Sequence, residues 1–512
     1  MIIMKKTLTF VLAMVMLASS VMTSCSDATD NAGTSPDAST VTTSPEAGAE
    51  EAETEPPQTF YTMSDLPSDL NLNGYEVTFS LEEGGNGALT ERSVWVEEDT
   101  GDVVDSAVYQ RNLNIMEGLN CKLSITSIGG SGTATGAIRT QVQAGTDDIQ
   151  IGGLYQYYGT GIAAENLIFN LANAELFPYN DFTRDYWGVQ YINDLSYKGT
   201  NFFVTGPMAL RYTGGVYVTY INSNKWLEFY PEQNIYDIVR DGKWTLDKMY
   251  EYANGAYIDK NGDGTVDAND FFGNVISCED PMDGMAAAAN VKWSEKDEEG
   301  NIILTLNNEH TVSFYEKLYN IMYNGQGTWL ATSDDNVTSM NMFAACQSLM
   351  AVNKMYQAEV FFRDMSDNYA ILPPPMLDEN QEFYNSCIHD SCTIYCVPIT
   401  VSNTTGVSAV LEALAAESAR LVSPAYYEQA LKVKYTRDSD AGDMIDLIYS
   451  HISTDFAFLY SSALSNMAHI FRTNISSKNE GLASSIAKQE KAWNKVLDRF
   501  VQKLDEVADK QG

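Results

Sequence analysis

The sequence predicts an α/β fold in two lobes, and two observations carry that prediction. Beyond an N-terminal tract with little to bury, roughly 450 residues remain, more than one hydrophobic core ordinarily organises. Within them, residues 75–151 read strand, helix, strand, helix, strand, the alternation of a largely parallel sheet covered by helices.

Residues 1–24 carry an export signal. Lys5 and Lys6 precede an apolar run over residues 8–18 that is too short to span a membrane comfortably. Residues 21–25, Val-Met-Thr-Ser-Cys, resemble the bacterial lipoprotein cleavage box, in which small residues precede a cysteine that is lipidated after cleavage. Cys25 is therefore the expected lipidation site and membrane anchor. Residues 25–58 follow as a tether. Eight acidic side chains from Asp27 to Glu55, no Lys or Arg, and a background of Ser, Thr, Pro, Ala and Gly make a stretch that repels itself and stays extended.

In the body, residues 75–81 alternate as a strand, and Tyr109, Leu113, Met116 and Leu119 recur at helical spacing over residues 105–119. Residues 121–125 read as a second strand, 137–142 as a helix, and 148–151 as a third strand ending in Gly152 and Gly153. Ligands in such sheets sit beyond the carboxyl ends of strands, and glycine permits close approach there. The following residues 154–158, Leu-Tyr-Gln-Tyr-Tyr, thus place Tyr155, Tyr157 and Tyr158 where a ligand would lie. Strands over 202–204 and 216–221, punctuated by Gly206, Pro207, Gly214 and Gly215, read as a crossing between lobes, with Arg211 beside it. Helices are expected over 245–252, with Thr245 as N-cap, and over 311–323. Residues 369–376 run a strand into three prolines, which cannot continue a central ladder. A strand at 392–397 and a helix at 407–416 follow, and the chain closes on an amphipathic helix whose Trp493, Val496, Leu497, Phe500 and Leu504 share a face.

Composition narrows the function. A formal charge of -38 argues against nucleic-acid binding, which needs basic surface. Four histidines limit imidazole chemistry, while 30 tyrosines and seven tryptophans supply faces for stacking. Cys387, Cys392 and Cys396 with His389 imitate metal-ligand spacing. On a strand, however, residues 392 and 396 stand roughly 13 Å apart, too far for a disulfide or one zinc ion, so buried, unpaired thiols are expected. Neither an HExxH nor a phosphate-binding loop motif occurs.

Residues 259–270 have the spacing of a calcium loop. Asp259, Asn261, Asp263, Asp267 and Asp270 offer oxygens at positions 1, 3, 5, 9 and 12, Gly264 takes the sharp turn at position 6, and Thr265 offers its carbonyl. A structural Ca2+ is expected, with Asp270 in place of the usual glutamate as in dockerin-type loops.

Four segments together carry a resemblance: residues 215–222 (Gly-Val-Tyr-Val-Thr-Tyr-Ile-Asn), 244–253 (Trp-Thr-Leu-Asp-Lys-Met-Tyr-Glu-Tyr-Ala), 369–375 (Tyr-Ala-Ile-Leu-Pro-Pro-Pro) and 381–384 (Gln-Glu-Phe-Tyr). In order, spacing and position behind the lipoprotein box, the chain from 74 to 507 resembles the extracellular solute-binding proteins of carbohydrate ABC importers. The resemblance implies a class II periplasmic-binding-protein-like fold, with mixed sheets flanked by helices and a cleft between lobes. Lobe one would be 59–207 with 374–430, and lobe two 208–373 with 431–512. It further implies a non-enzymatic, monomeric, lipid-anchored protein outside the cell membrane that captures a sugar or oligosaccharide and hands it to the importer's permease subunits. Residues 255–310 and 426–460 depart from the family's pattern and leave the ligand open: a peptide or other solute is the alternative, and a secreted glycoside hydrolase the rival class. Sugars present hydroxyls and flat C–H faces, which call for aromatic platforms and converging polar groups. By location, the candidates are Trp95, Tyr155, Tyr157, Tyr158, Trp187, Arg211 and Tyr384.

Overall fold

The computed structural model describes residues 66–84, 89–332, 337–432 and 439–511. The export signal, Cys25 and the tether lie outside them. Among the described residues, strands β1 (Tyr75–Glu82), β2 (Cys121–Gly129), β3 (Ile151–Tyr155), β4 (Tyr217–Asn222), β5 (Phe272–Ser277), β6 (Ser294–Lys296), β7 (Ile302–Leu304), β8 (Thr328–Ala331), β9 (Ser348–Lys354), β10 (Tyr369–Leu372) and β11 (Thr393–Cys396) form two main sheets and a hairpin.

The first sheet has the order β11-β3-β1-β2. Its parallel pairs, β1 with β2 and β1 with β3, require crossovers. Helices Val103–Leu119 and Thr133–Ala144 supply them. Asp102 caps the first by accepting the N–H groups of Val104 and Asp105, and Asn120, at φ 48°, ends it. Val77, Phe79 and Leu81 are buried on β1, as alternation predicts. The third strand differs from expectation: it continues through Gly152 and Gly153 to Tyr155. The glycines do not stop the strand; they admit its neighbours. A Cβ at Gly152 would meet Ile138 Cδ1 at 2.6 Å, and one at Gly153 would meet Leu81 Cδ2 at 2.7 Å.

The second sheet has the order β10-β4-β9-β5-β8, mixed in direction, with β5 parallel to both β8 and β9. β4 and β9 are buried along their whole length, as central strands covered on both faces must be. Helix Leu246–Gly255 begins at the expected cap, the Thr245 hydroxyl accepting the Lys248 N–H at 3.3 Å. β10 stops at Leu372, before the three prolines. Residues 202–204 form no regular strand, only the bridge of Val204 to Tyr395, because Gly206, at φ 147°, and Pro207 turn the chain first.

The terminal helix, Leu482–Gln511, buries Trp493, Leu497, Phe500 and Leu504, with Val496 on the flank. The tail expected in lobe two serves both halves. Gln511 accepts from the Asn170 N–H at 2.7 Å and donates to the Ile168 carbonyl at 2.9 Å, while Tyr315 and Tyr323 donate to the carbonyls of Asn479 and Ile475. Cys121, Cys387, Cys392 and Cys396 are buried free thiols, Cys278 is buried, and Cys346 is half-buried.

Candidate functional site

The carboxyl ends of β3, β5 and β9 converge on one cavity of about 230 Å³, bringing both sheets to a common cleft. From the first sheet come the tyrosines that follow β3. Tyr155 donates its N–H to Glu82 at 3.1 Å, and its ring seats because residue 84 is glycine: a Cβ there would lie 2.0 Å from the ring. Tyr158 is tilted against Tyr155 at 5.3 Å and edge-on to Tyr157 at 4.7 Å. Tyr157 stacks on His469 at 5.3 Å and donates its hydroxyl to Asn466 Oδ1 at 2.8 Å. Tyr158 is 56% exposed, an aromatic face left open.

From the second sheet come Asp280, just after β5, and Lys354, the last residue of β9. Asp280 Oδ2 accepts from Lys354 Nζ and from the Tyr217 hydroxyl, both at 2.7 Å. Burial opposes its charge, but Lys354, His389 and Arg472 outweigh burial and hold the carboxyl well below the usual carboxylate range.

The floor is the segment entering β11. His389 Nδ1 faces Ser391, 3.0 Å from its backbone N–H and 2.7 Å from its hydroxyl. Because Nδ1 accepts that N–H, the ring proton belongs on Nε2, which lies 3.3 Å from both Asp280 and Asp390. Burial, helped by Lys354, pushes His389 down to about 4 against the pull of the two aspartates, so the ring is neutral at pH 7. Asp390 Oδ2 is 3.6 Å from Arg472, whose Nε donates to Asp283 at 2.7 Å. Asp283 is sealed, and burial drives it up to about 7 in spite of Arg472. Two polar atoms of the cavity's lining residues, Gln357 Oε1 and His469 Nε2, are buried with no hydrogen-bond partner among the described residues. Burial pushes His469 down to about 4 as well.

Of the seven predicted ligand residues, Tyr155, Tyr157 and Tyr158 line this cavity. Arg211 stands behind its floor: it is buried, bonded to Glu83 at 2.5 Å, 3.5 Å from the Ser391 hydroxyl, and 5.9 Å over the Tyr356 ring. Trp95 lines a neighbouring cavity. Two of the seven lie away from this cavity. Trp187 is core, packed on Phe182 with its indole N–H donating to Glu412 at 3.2 Å. Tyr384 accepts the Trp244 N–H at 3.2 Å and donates to the Val239 carbonyl at 3.0 Å, facing a separate cavity. Lys354, Gln357, Asp280, His389, Asp390 and Arg472 were not predicted. Position at or beyond a strand end marks Asp280, Lys354, Gln357, His389 and Asp390, and depends on boundaries near residues 277, 354 and 393, while Arg472 comes from helix Ile470–Ser476.

The loop 259–270 makes the turn its glycines predict, with Gly262 and Gly264 at φ 70° and 75°. The Gly264 N–H donates to Asp259 Oδ2 at 2.8 Å and the Thr265 N–H to Asp263 Oδ1 at 2.7 Å. Asp270 is turned inward, accepting the Tyr257 hydroxyl at 2.8 Å and the Asp267 N–H at 3.2 Å. Its carboxylates are thus engaged with their own turn, and no cluster of three or more His, Cys, Asp or Glu poised for a metal forms among the described residues.

Comparison with protein-family models and with curated proteins finds no match. Solved structures do match. A solute-binding protein of an ABC transporter from Thermotoga lettingae, bound with alpha-D-tagatose, superimposes with a TM-score of 0.53 at 12% identity, over 83% of this chain and 100% of that one. An ABC substrate-binding protein from Listeria monocytogenes in complex with cycloalternan gives 0.52 at 12%, over 83% and 99%. The GacH receptor of Streptomyces glaucescens, solved unliganded and with acarbose, gives 0.52 at 12%, over the same shares. The chain therefore has the fold of these ABC solute-binding proteins.

Proposed function

We propose that the chain is the solute receptor of an ABC importer, taking a sugar or oligosaccharide into the cleft and delivering it to the membrane permease. The observation that carries this reading is the chamber where β3, β5 and β9 end. There tyrosine faces meet Asp280, Asp390 and Arg472, and Gln357 Oε1 and His469 Nε2 have no partner within the described chain. Ligand hydroxyls that hydrogen-bond the charged groups gain about 1.5–3 kcal/mol each, while C–H faces stack on the tyrosines. Three proteins of this fold, described with tagatose, cycloalternan and acarbose, support a saccharide as cargo.

Capture fits the electrostatics better than cleavage. Glycoside hydrolysis needs a carboxyl held protonated at the scissile oxygen. Asp280 is held ionised, and the nearby carboxyl pushed up to about 7, Asp283, is sealed beneath Arg472. In the same reading, lipid on Cys25 and the acidic tether hold a monomeric receptor just outside the cell membrane. No helix among the described residues is long and apolar enough to cross a membrane. The reading includes a structural calcium ion in the loop 259–270, supported by its glycine turn; uptake requires Asp270 to leave Tyr257 and join Asp259 and Asp263.

Titration calorimetry against mono- and oligosaccharides tests the reading. Saturable sugar binding without turnover is the expected result. Binding of peptides alone rejects the sugar, and release of shortened sugars rejects the receptor.

A further inference from the structure

A second cavity, of about 420 Å³, adjoins the first, and Tyr356 lines both. Its walls come from the two sides of the cleft. Arg92 and Trp95 belong to helix Leu89–Val94 and the turn after it, and Val360 belongs to helix Gln357–Phe361. Arg92 joins the sides, lying 3.7 Å from Glu359 while also paired with Asp102 and Asp105 at 2.5 Å each. Its charge is thus spent on the protein's own carboxylates. The surfaces left toward the cavity are largely apolar: Trp95 is half-buried, and Val360 is 43% exposed.

Size and surface both point beyond a single sugar ring. The inner cavity, near 230 Å³, falls below the range of about 300–1,000 Å³ usual for small-molecule sites, whereas the two cavities together fall inside it. Tyr158 lines the inner chamber and Val360 the outer one, each with exposed apolar surface. Resting on the sugar reading above, we propose that the ligand is a chain of two or more rings. One end is hydrogen-bonded in the chamber of Asp280, His389 and Arg472, and the next ring is stacked on Trp95 opposite Val360. The outer chamber is then a length-selecting subsite, and the Arg92–Glu359 pair braces its rim.

The test is calorimetry of the mature protein with malto-, cello-, xylo- and manno-oligosaccharides and their monosaccharides. In a series that binds, the trimer is expected to bind about two- to tenfold tighter than the monomer, the gain that one added stacked ring supplies. Trp95→Ala should collapse that ratio toward one. Val360→Trp, at an exposed position that folding tolerates, should do the same by filling the chamber, and thermal melts of both variants report their folding. A monosaccharide that binds wild type as tightly as its oligomers overturns the proposal, as does a trimer-to-monomer ratio unaltered in both variants. Failure of every saccharide to bind overturns the underlying sugar reading as well, a result distinct from tight binding of short sugars alone.

Discussion

His389 offers a prediction in which sign and size both come from the site. Its ring is enclosed by Asp280, Asp390, Lys354 and Arg472, and its Nδ1 accepts the Ser391 N–H, an arrangement that requires the neutral ring. In an unfolded chain the imidazole titrates near 6.5, and burial lowers it to about 4 here. Between those values the unfolded state binds more protons than the folded one. The stability this group contributes is therefore complete above about pH 6.5 and lost as the pH falls toward about 4. At about 1.4 kcal/mol per pH unit, the full loss amounts to about 3 kcal/mol. Gln can keep a donor toward Asp280 and an acceptor toward Ser391 without titrating, so His389→Gln should lose about 3 kcal/mol less than wild type on acidification. The assay is urea unfolding of both proteins across that pH window. His469 titrates in both, so the difference between the curves isolates His389. Parallel stability curves for the two proteins between about pH 6.5 and about pH 4.5 would refute the neutral, buried ring.

Arg472→Met should cost up to about 3 kcal/mol above about pH 7, where it strips the partner from the sealed, ionised Asp283 carboxylate. The loss should shrink as the pH falls through about 7, where Asp283 takes up a proton, and equal loss on the acid and alkaline sides of that value in chemical denaturation would count against the pairing. Calcium should raise the melting temperature of chelator-stripped protein and Asp263→Ala should remove most of the increase; no saturable uptake at millimolar calcium rejects the loop as a site. Cys25→Ala should release the protein from the membrane fraction of its native host, and unchanged tight association rejects the lipid anchor.

Local periodicity made much of the fold legible. The alternation in residues 75–81 reappears as β1, the helical spacing from Tyr109 to Leu119 as helix Val103–Leu119, and the prolines after Leu372 as the end of β10. Gly152 and Gly153 misled, because glycine marks both turns and close packing, and only the positions of Ile138 and Leu81 distinguish the two. The cleft was half legible. Tyr155, Tyr157 and Tyr158 follow a recognisable strand, so their location could be read. Asp280, Lys354, His389 and Arg472 come from four distant segments, and no spacing links residues that meet only when two sheets and the tail are assembled. Trp187 and Tyr384 show the converse: each looks like a platform in sequence, yet each satisfies its polar atom inside the protein, on Glu412 and on the Val239 carbonyl.

The central claim, a saccharide held between the sheets, is tested most directly by a crystal structure of the protein with the sugar it binds most tightly. Density is expected in the cleft, with a ring face against Tyr157 or Tyr158 and hydroxyls on Asp390 or Arg472. Density in the separate cavity beside Tyr384, with the cleft left to solvent, would contradict it.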